Sequence, residues 1–381
     1  MANPYSSVGT NSGYIASDRG NEDLLTGYSR NIGSFRLPQY CPIKPVARQR
    51  GLYQKFNPNV NFRMGSNWKA ESVWADGADR PNGLKNKQEL VFEPYQTVRY
   101  DEPILATDLE IQQADWAVTD TNAQTVLQLM MTRRTAFAMD ALSTAVYGGN
   151  TAPVDSSQAG SIVSSRFTGA VAGSNWSNGT TIQPNIKASI QYGLKQIQVA
   201  TGAAVGLNEL CLVIGPDVAM AMSTSAEVTQ ALIQSVYSAQ LVTGTDGPEA
   251  VIAPYNAMWG LPYAIGGVPI VVEDAVWDIT GKPGTNGAGV GTFIMDANTA
   301  YLLRRPRNIL QNIELPKDVL TETREAYFPV VSSLVMIARE EMTLESFDEP
   351  RNRRQDTHVV TDFQIQLVSA LSAFKYTHVV S

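Results

Sequence analysis

The sequence has very few of the residues on which metal sites, disulfide frameworks and most hydrolytic centres depend. It contains two cysteines and two histidines in 381 residues, so a fold built on disulfide bonds is not expected. His358 and His378 have no Cys, Asp or Glu at metal-ligand spacing, which leaves a zinc site or a Ser/His/Asp triad without support. We therefore expect Cys41 and Cys211 to be free thiols, and we expect neither a metal nor a cofactor.

Long apolar runs and phosphate-binding motifs are also absent. No apolar stretch approaches the roughly 18 to 20 residues that span a bilayer, and no basic stretch followed by an apolar block opens the chain. We therefore expect cytoplasmic synthesis and no membrane partner. The glycine-rich residues 284–291 precede a predicted strand, whereas a dinucleotide-binding loop follows a strand and opens a helix. Nucleotide binding is not predicted.

Adjacent carboxylates are the remaining candidates for acid–base chemistry. Asp101 with Glu102, and Glu340 with Glu341, could in principle supply a general acid and a general base. Neighbours on a strand point to opposite faces, so we expect these groups to be solvated charges instead. A nucleophile elbow is absent as well, which leaves an α/β enzyme as the distant alternative for function.

The distribution of charge is more informative than the net charge of −7. Residues 30–69 carry eight basic side chains and no acidic one, whereas residues 314–349 carry nine acidic and three basic side chains. The negative sum argues against a nucleic-acid-binding surface over the whole molecule. The segregation predicts that the basic segment pairs with acidic residues of another copy of the chain, and the alternative is that the basic segment binds nucleic acid.

The first half of the chain predicts extended segments followed by two helices. Gly, Ser, Asn and Pro interrupt residues 1–50, which we interpret as an arm, and residues 51–106 predict a long two-stranded β-ribbon with a polar tip at 75–87. Thr121 and Gln124 form a candidate capping box for a long helix that ends at Gly148. A second amphipathic helix is predicted to follow Pro184, with isoleucines and leucine on one face.

The second half predicts strands and helices in alternation. Residues 209–214 read as a buried strand, and Gly215–Pro216 starts a helix that is predicted to continue to about Gln234. Residues 258–262 predict a turn, residues 268–272 and 292–295 predict further strands, and residues 328–340 and 358–380 are β-rich. The predicted class is α+β (mixed α/β).

The order of these elements, and four short motifs within it, resemble the major capsid proteins of tailed bacteriophages, whose shared architecture is the Johnson fold. The motifs are YDEPILATDL at residues 100–109, the long helix closing on GGN at 148–150, LVIGPD at 212–217, and WGLP at 259–262 followed by GVPI at 267–270 and MDANTAY at 295–301. The resemblance covers most of residues 50–380. It implies an N-terminal arm (1–50), an extended β-hairpin loop (51–106), a peripheral domain with a spine helix (107–204, helix 119–148), an axial domain (205–305) and returning strands of the peripheral domain (306–381).

The resemblance also implies a function. The chain would be a structural protein, not an enzyme, that assembles into hexamers and pentamers of an icosahedral phage head enclosing double-stranded DNA. Its partners would be copies of itself, portal and scaffolding proteins, and decoration or cement proteins, with DNA enclosed non-specifically. It would lie in the virion capsid and pass through the host cytoplasm during assembly. An encapsulin-like compartment or a gene-transfer-agent shell is the nearest alternative.

The same reading assigns contacts between subunits, because an arm and a ribbon without a core of their own must be buried on neighbours. Aromatic residues of both segments, including Phe35 and Tyr40, are predicted anchors. Basic residues of the arm and ribbon are predicted to pair with acids near residue 345 of adjoining subunits. The predicted contact residues are Arg36, Arg48, Arg50, Lys55, Phe56, Trp68, Trp74, Lys85, Lys87, Glu340, Glu341 and Glu345.

Overall fold

The computed structural model describes residues 32–56, 76, 90–114, 117–162, 175–177, 185–228, 255–256, 258–278, 291–305 and 332–380. Several features predicted from the sequence lie outside these residues. They are the ribbon tip apart from Asp76, the glycine-rich residues 284–290, and the start of the β-rich segment at 328–331.

Four helices and sixteen strands with defined bounds follow one another along the described chain. The helices are α1 (Asp108–Gln113), α2 (Val118–Thr144), α3 (Asn185–Thr201) and α4 (Pro216–Ser223). The strands of the first half are β1 (Ile43–Pro45), β2 (Arg50–Phe56), β3 (Leu90–Gln96), β4 (Val98–Thr107) and β5 (Thr151–Pro153). Those of the second half are β6 (Leu210–Ile214), β7 (Tyr255–Asn256), β8 (Leu261–Pro262), β9 (Ala264–Ile265), β10 (Val268–Val272), β11 (Val276–Trp277), β12 (Thr292–Phe293), β13 (Thr299–Arg304), β14 (Leu334–Glu349), β15 (Arg354–Leu367) and β16 (Phe374–Thr377).

The long helix α2 lies on a four-stranded sheet of order β1-β14-β15-β4. Val126, Met130 and Leu142 are buried on its sheet-facing side, which matches the periodicity seen in the sequence. Its start differs from the prediction: Ala117 is the N-cap, and the Thr121 hydroxyl donates to the Ala117 carbonyl from inside the first turn. The capping box belongs instead to the short helix α1, where Thr107 and Glu110 satisfy each other's backbone N–H groups.

The helix α2 also ends earlier than predicted. Its last residue is Thr144, and Ala145 is already extended. The hydroxyl of Tyr147 donates to the Leu142 carbonyl at 2.9 Å, so one of the unpaired carbonyls of the last turn is satisfied by a side chain. Gly148 then turns the chain with a φ of +59°, a conformation that glycine adopts without steric cost.

The second large sheet has six strands in the order β5-β16-β13-β6-β10-β9. Its central strand β6 reads Leu-Cys-Leu-Val-Ile and is buried throughout, as expected for a strand covered on both faces. Helix α3 packs on this sheet through the predicted apolar face, with Ile186, Ile190 and Ile197 in one buried cluster with Phe374 and Tyr376. Gly193 allows the close approach, because a Cβ there would stand 2.1 Å from the Tyr376 hydroxyl.

Helix α4 is shorter than the sequence suggested. It begins at Pro216 as predicted but is interrupted after Ser223, and residues 229–234, to which the prediction extended, lie outside the described residues. Two hydroxyls interrupt it: Thr224 Oγ1 donates to the Ala221 carbonyl at 3.0 Å, and Ser225 Oγ donates to the Met222 carbonyl at 2.7 Å. Ser225 Oγ also accepts from Val228 N–H at 3.3 Å and so caps a new helical turn.

The second half of the arm region belongs to the core of this chain. Phe35, Leu37, Tyr40 and Cys41 are buried, because a 3₁₀ turn at Leu37–Gln39 places residues 37, 40 and 41 on one side. The Tyr40 hydroxyl donates to the buried Glu273 carboxylate at 2.7 Å, and β1 pairs with β14 in parallel. The prediction that Phe35 and Tyr40 anchor neighbouring subunits is therefore wrong.

The bounds of the final strands differ from the prediction. β14 and β15 form an antiparallel hairpin that runs from Leu334 opposite Leu367 out to Glu349 opposite Arg354. The sequence predicted β-rich segments at 328–340 and 358–380, so β14 continues beyond the first segment, and β15 begins before the second and ends within it. A strand exposed to solvent needs no apolar alternation, so charge does not end it. By contrast, the strand predicted at 292–295 is regular only at Thr292–Phe293.

Within the residues described, none of the helices combines the length and apolar character required to cross a membrane.

Candidate intersubunit surface

The β-ribbon consists of β2 and β3, which pair in antiparallel register with Leu52 opposite Pro94 and Gln54 opposite Phe92. Directly opposed residues share one face of a ribbon, as do residues two apart on one strand. Leu52, Phe92 and Pro94 therefore lie on one face, which we call the ribbon face. Leu52 is 65% exposed and Phe92 is 55% exposed. These large apolar side chains have no cover among the described residues.

The opposite face of the ribbon supplies its own contacts. The Tyr95 ring packs over Gly51, where a Cβ would stand 2.5 Å from the Tyr95 hydroxyl. The Tyr53 hydroxyl donates to the Glu93 carboxylate, and partial burial together with this carboxylate raises the pKa of Tyr53. The opposite face of the ribbon therefore packs against the ribbon's own residues, whereas the large apolar side chains of the ribbon face remain exposed.

The base of the ribbon is fixed to the long sheet. The Gln96 N–H donates to the Gln364 side chain on β15 at 2.8 Å, and the Thr97 N–H donates to the Gln49 carbonyl at 2.9 Å. Thr97 is fully buried. The chain then continues directly into β4, which pairs with β15. The ribbon therefore leaves the subunit from a rigid root.

A second bare surface lies at the outer half of β14, residues 339–349. The first five residues of β14 are buried, but most of those that follow are exposed. Phe347 is 51% exposed, and its ring makes an edge-on contact with His358 at 5.6 Å between centroids. Leu344 is 48% exposed. Leu344 and Phe347 lie three residues apart on a regular stretch of strand and therefore point to opposite faces.

The acids of this outer half divide into two groups. Glu340 pairs with Arg99 at 2.9 Å and Glu349 with Arg354 at 3.0 Å, both within the chain. Glu341, Glu345 and Asp348 form no salt bridge in the part of the chain that the structure describes, although burial lowers the pKa of Arg134 and the charge of Glu341 opposes that shift. These three remain the candidates for pairing with basic residues of another copy.

The predicted contact residues can now be placed. Arg36, Arg48, Arg50 and Glu341 are exposed, and Glu340 and Glu345 are half-buried on β14. Lys55 and Phe56 lie on β2, but the structure does not describe their side chains. Trp68, Trp74, Lys85 and Lys87 fall outside the described residues.

Sequence reasoning missed Leu52, Leu344 and Phe347 as surface residues. The signal was present, because strand alternation places Leu52 and Phe92 on one face of the ribbon once the register is known. The register itself cannot be read from the sequence of a ribbon that lacks a short turn.

The adjacent carboxylates do not form a catalytic pair. Asp101 contacts His358 Nδ1 at 2.9 Å on the solvent side of the long sheet, whereas Glu102 is buried on the helix side and pairs with Arg133 of α2. The two side chains point to opposite faces, as the sequence predicted, but the expectation that both are solvated charges is wrong for Glu102, which is buried. No cluster of His, Cys, Asp or Glu suited to a metal ion occurs among the described residues.

The thiols are likewise inert by position. Cys41 and Cys211 are free and buried, and burial raises the pKa of Cys211 to about 12.

Arg134 of α2 is buried, donates to the Thr361 hydroxyl, and stacks over the Phe363 ring at 5.3 Å. These groups fasten the long helix to the sheet.

No protein-family model matches the sequence, and no curated protein matches it at a significant level. Among solved structures, the capsid of cyanophage P-SCSP1u superposes with a TM-score of 0.51 over 90% of this chain and 88% of that chain, at 7% identity. The chain has the Johnson fold. The fold class predicted from the sequence is thereby confirmed.

Two further solved structures are similar to this chain over nearly its whole length. The capsid of Ralstonia phage GP4 covers 93% of this chain and 94% of its own at a TM-score of 0.49 and 11% identity. A phage-related protein from Bordetella bronchiseptica RB50 covers 93% and 95% at a TM-score of 0.49 and 14% identity. The fold is assigned from the cyanophage capsid alone, because the TM-scores of these two structures lie below 0.5.

Proposed function

We propose that this chain is a major capsid protein, the structural subunit of an icosahedral phage head. The observation that carries the proposal is the bare ribbon face, made of Leu52, Phe92 and Pro94, on a subunit with a capsid fold. A two-stranded ribbon is only marginally stable alone. Burial of such side chains on a neighbour would stabilise both the ribbon and the assembly.

The proposal assigns a task to each part of the chain. The arm (1–50) and the hairpin loop (51–106) reach neighbours, the peripheral domain (107–204 with 306–381) carries the long helix and sheet, and the axial domain (205–305) faces the centre of a hexamer or pentamer. The net charge of −7 suits a container, which encloses DNA without binding it strongly. Catalysis has no place in this function.

The partners follow from the same proposal. Copies of the chain are the first, and portal, scaffolding and decoration proteins are the others. Packaged double-stranded DNA is enclosed without sequence-specific contacts. The protein would reside in the virion capsid after assembly in the host cytoplasm.

The contact residues proposed between subunits are of two chemical kinds. Apolar anchors come from the ribbon face together with Phe56, Trp68 and Trp74. Charged contacts would join the basic segment of residues 30–69, including Arg36, to acids of the outer half of β14, and Lys85 and Lys87 are further proposed contacts near the ribbon tip. Because Glu340 already pairs with Arg99, Glu341 and Glu345 are the stronger candidates among the acids.

The test compares two aliphatic residues of equal exposure. Leu52 on the ribbon and Val199 on α3 are 65% and 64% exposed, so either can be changed to Asp without opening the core. We expect Leu52→Asp to give a folded subunit that fails to form hexamers, pentamers or shells. Val199→Asp should assemble like the unchanged chain. Sedimentation velocity and negative-stain microscopy report the assembly, and circular dichroism reports the fold.

Two outcomes would contradict the proposal. One is an unchanged chain that stays monomeric at high concentration, also when co-expressed with scaffolding protein. The other is normal assembly by Leu52→Asp. Mass spectrometry and nucleic-acid analysis of purified shells separate a phage head, which holds a genome, from a compartment that holds a cargo enzyme.

A further inference from the structure

Residues 35–46 join the core of the subunit to the ribbon, and we call them the strap. The first part of the strap is buried through Phe35, Leu37, Tyr40 and Cys41. Its last part is β1, which pairs in parallel with β14 at the edge of the four-stranded sheet. Since β1 is the edge strand, the pairings of β14 with β15 and of β15 with β4 do not depend on it. The strap can therefore leave the sheet without unfolding it.

One buried hydrogen bond ties the strap to the six-stranded sheet. The Tyr40 hydroxyl donates to Glu273 Oε2 at 2.7 Å, and both residues are 0% exposed. Glu273 directly follows β10, and its backbone N–H donates to the Ile214 carbonyl at the end of β6 at 2.9 Å. Its second carboxylate oxygen accepts from the Ala275 N–H at 3.3 Å. These last two bonds do not involve the strap, so the carboxylate is a fixed point on which Tyr40 docks.

The backbone contacts of the strap with β14 are weak by comparison. The Met336 N–H donates to the Pro42 carbonyl at 3.0 Å, and the Val46 N–H donates to the Ala338 carbonyl at 2.8 Å. β1 is three residues long, and all three are exposed. Exposed backbone bonds with few buried contacts are typical of segments that open locally. The buried inner part of the strap must therefore hold β1 in place.

The strap continues into one of the two legs of the ribbon. After Val46 the chain runs through Gln49 into β2. At the ribbon root, the Thr97 N–H donates to the Gln49 carbonyl at 2.9 Å, and Gln49 Nε2 donates to the Thr97 carbonyl at 3.2 Å. The other leg, β3, continues into β4, whose ten residues all pair with β15. Three residues of β1 pair with β14, so the strap is the weaker of the two attachments.

We propose that the strap is a releasable anchor of the ribbon, and that the hydrogen bond between Tyr40 and Glu273 keeps this anchor closed. With the strap docked, both legs are fixed and the ribbon holds one angle to the long sheet. With the strap released, the β4 leg alone holds the ribbon, which then pivots about residues 96–97. Tyr40 is therefore a positioning residue, since it acts on the ribbon only through the strap. The anchor would operate in the free subunit, whether or not the subunit forms shells.

The bond controls the strap because its acceptor is a buried carboxylate. Leaving a buried polar group without a donor costs free energy, and the cost is larger for a charged group. When the Tyr40 hydroxyl is absent, water can take its place at Glu273 only if the strap opens. Loss of the hydroxyl therefore favours the open strap. The apolar packing of Leu37 and Cys41 is non-directional and fixes no such point of attachment.

Amide exchange in the full-length, dissociated subunit tests the anchor. Tyr40→Phe should speed exchange of the Val46 and Met336 amides by roughly tenfold or more, because the lost bond has a charged acceptor. Amides of β6 and β15 should keep their rates. The matched control is Tyr147→Phe, which removes another buried tyrosine hydroxyl, the donor to the Leu142 carbonyl. This control should leave exchange at Val46 unchanged.

Spin labels test the link between the strap and the ribbon. The native cysteines are buried, so labels can be attached at Leu52→Cys on β2 and at Asp140→Cys, an exposed position of α2. Pulsed electron paramagnetic resonance then measures the distribution of the distance between the two labels. Tyr40→Phe should widen this distribution. Val46→Pro should widen it as well, because proline removes the N–H that bonds to Ala338 and leaves the buried part of the strap unchanged.

The outcomes separate an anchor from a bond that only stabilises the core. Faster exchange at Val46 together with a wider distance distribution supports the anchor. Uniformly faster exchange in Tyr40→Phe, including β6 and β15, overturns it, as does an unchanged distribution or unchanged exchange at Val46. If Tyr40→Phe does not fold, Val46→Pro decides, and an unchanged distribution in that variant refutes the anchor. None of these measurements requires shells, so failure of the anchor and failure of the proposed function are distinguishable.

Discussion

The two halves of β14 differ in what their side chains do. The inner half, Leu-Val-Met-Ile-Ala at 334–338, is buried on both faces, whereas the outer half at 339–349 is largely exposed and rich in acids. β14 therefore runs from the core of the subunit to its surface. The inner half stabilises the folded chain, and the outer half is available to a partner.

The same contrast separates the six-stranded sheet from the ribbon. The six-stranded sheet with α3 is an apolar core that resembles the interior of any globular domain. The ribbon and the outer half of β14 have exposed apolar and charged residues and little packing of their own. Substitutions in the first region should act on folding, and substitutions in the second should act on assembly.

The largest expected effect comes from a matched pair of phenylalanines. Phe374 is fully buried between Tyr192 and Tyr376, whereas Phe347 is 51% exposed. Phe374→Ala should lower the free energy of unfolding by about 3–5 kcal/mol through cavity formation. Phe347→Ala should change it by no more than about 0.5 kcal/mol but should impair assembly. Urea unfolding of the dissociated subunit and sedimentation measure the two effects, and equal destabilisation would remove the contrast.

Glycine provides the next test of the core. Gly193→Ala should destabilise the subunit by roughly 1–3 kcal/mol, because the new methyl group must displace the Tyr376 hydroxyl or push α3 off the sheet. Gly206→Ala is the control, since nothing lies within 4 Å of the added Cβ. Urea unfolding distinguishes them. An unperturbed Gly193→Ala would mean that α3 is not held closely against β16.

Two arginine–carboxylate pairs sharpen the contrast between the faces of the long sheet. Arg133 pairs with buried Glu102 on the helix side, and Arg99 pairs with Glu340 on the exposed side. Arg133→Gln should cost roughly 1–2 kcal/mol, because the buried carboxylate loses its partner. Arg99→Gln should cost about 0–1 kcal/mol. High salt should weaken the second pair more than the first, and this is measured by unfolding at two ionic strengths.

The smallest expected effect concerns α1. Thr107→Ala removes the N-cap and should cost about 0.5–1 kcal/mol, seen as faster amide exchange at residues 110–113. Hydrogen bonds from the Thr107 N–H and hydroxyl lower the pKa of Glu110. A lowered folded-state pKa gives stability that is present above the unfolded value of about 4.3 and is lost as pH falls through the folded value. Glu110→Gln should abolish this acid dependence, and an unchanged pH profile would argue against the capping box.

Periodicity and apolar runs were sufficient to predict much of the fold. Helix α3 followed from Ile186, Ile190 and Ile197, and strands β6 and β10 followed from continuous aliphatic runs, because local pattern determines such elements. The buried role of Tyr40 could not be predicted, since its partner Glu273 is 233 residues away. Helix α1 was missed because six residues are too few to show a period.

The candidate surface was predictable only in part. The charges of Arg48 and Arg50 and their exposure follow from composition. The pairing of Glu340 with Arg99 depends on a register between β14, β15 and β4 that the sequence does not specify.

The position of β16 sets the order in which the subunit can be completed during synthesis. β16 lies between β5 and β13 in the six-stranded sheet, although it follows both in the chain. A ribosome must therefore release residue 377 before β5 has any neighbour in that sheet and before α3 has its full packing surface. Chains interrupted earlier would expose the apolar core that chaperones recognise. Chains that end before residue 377 would therefore lack part of the packing surface of α3.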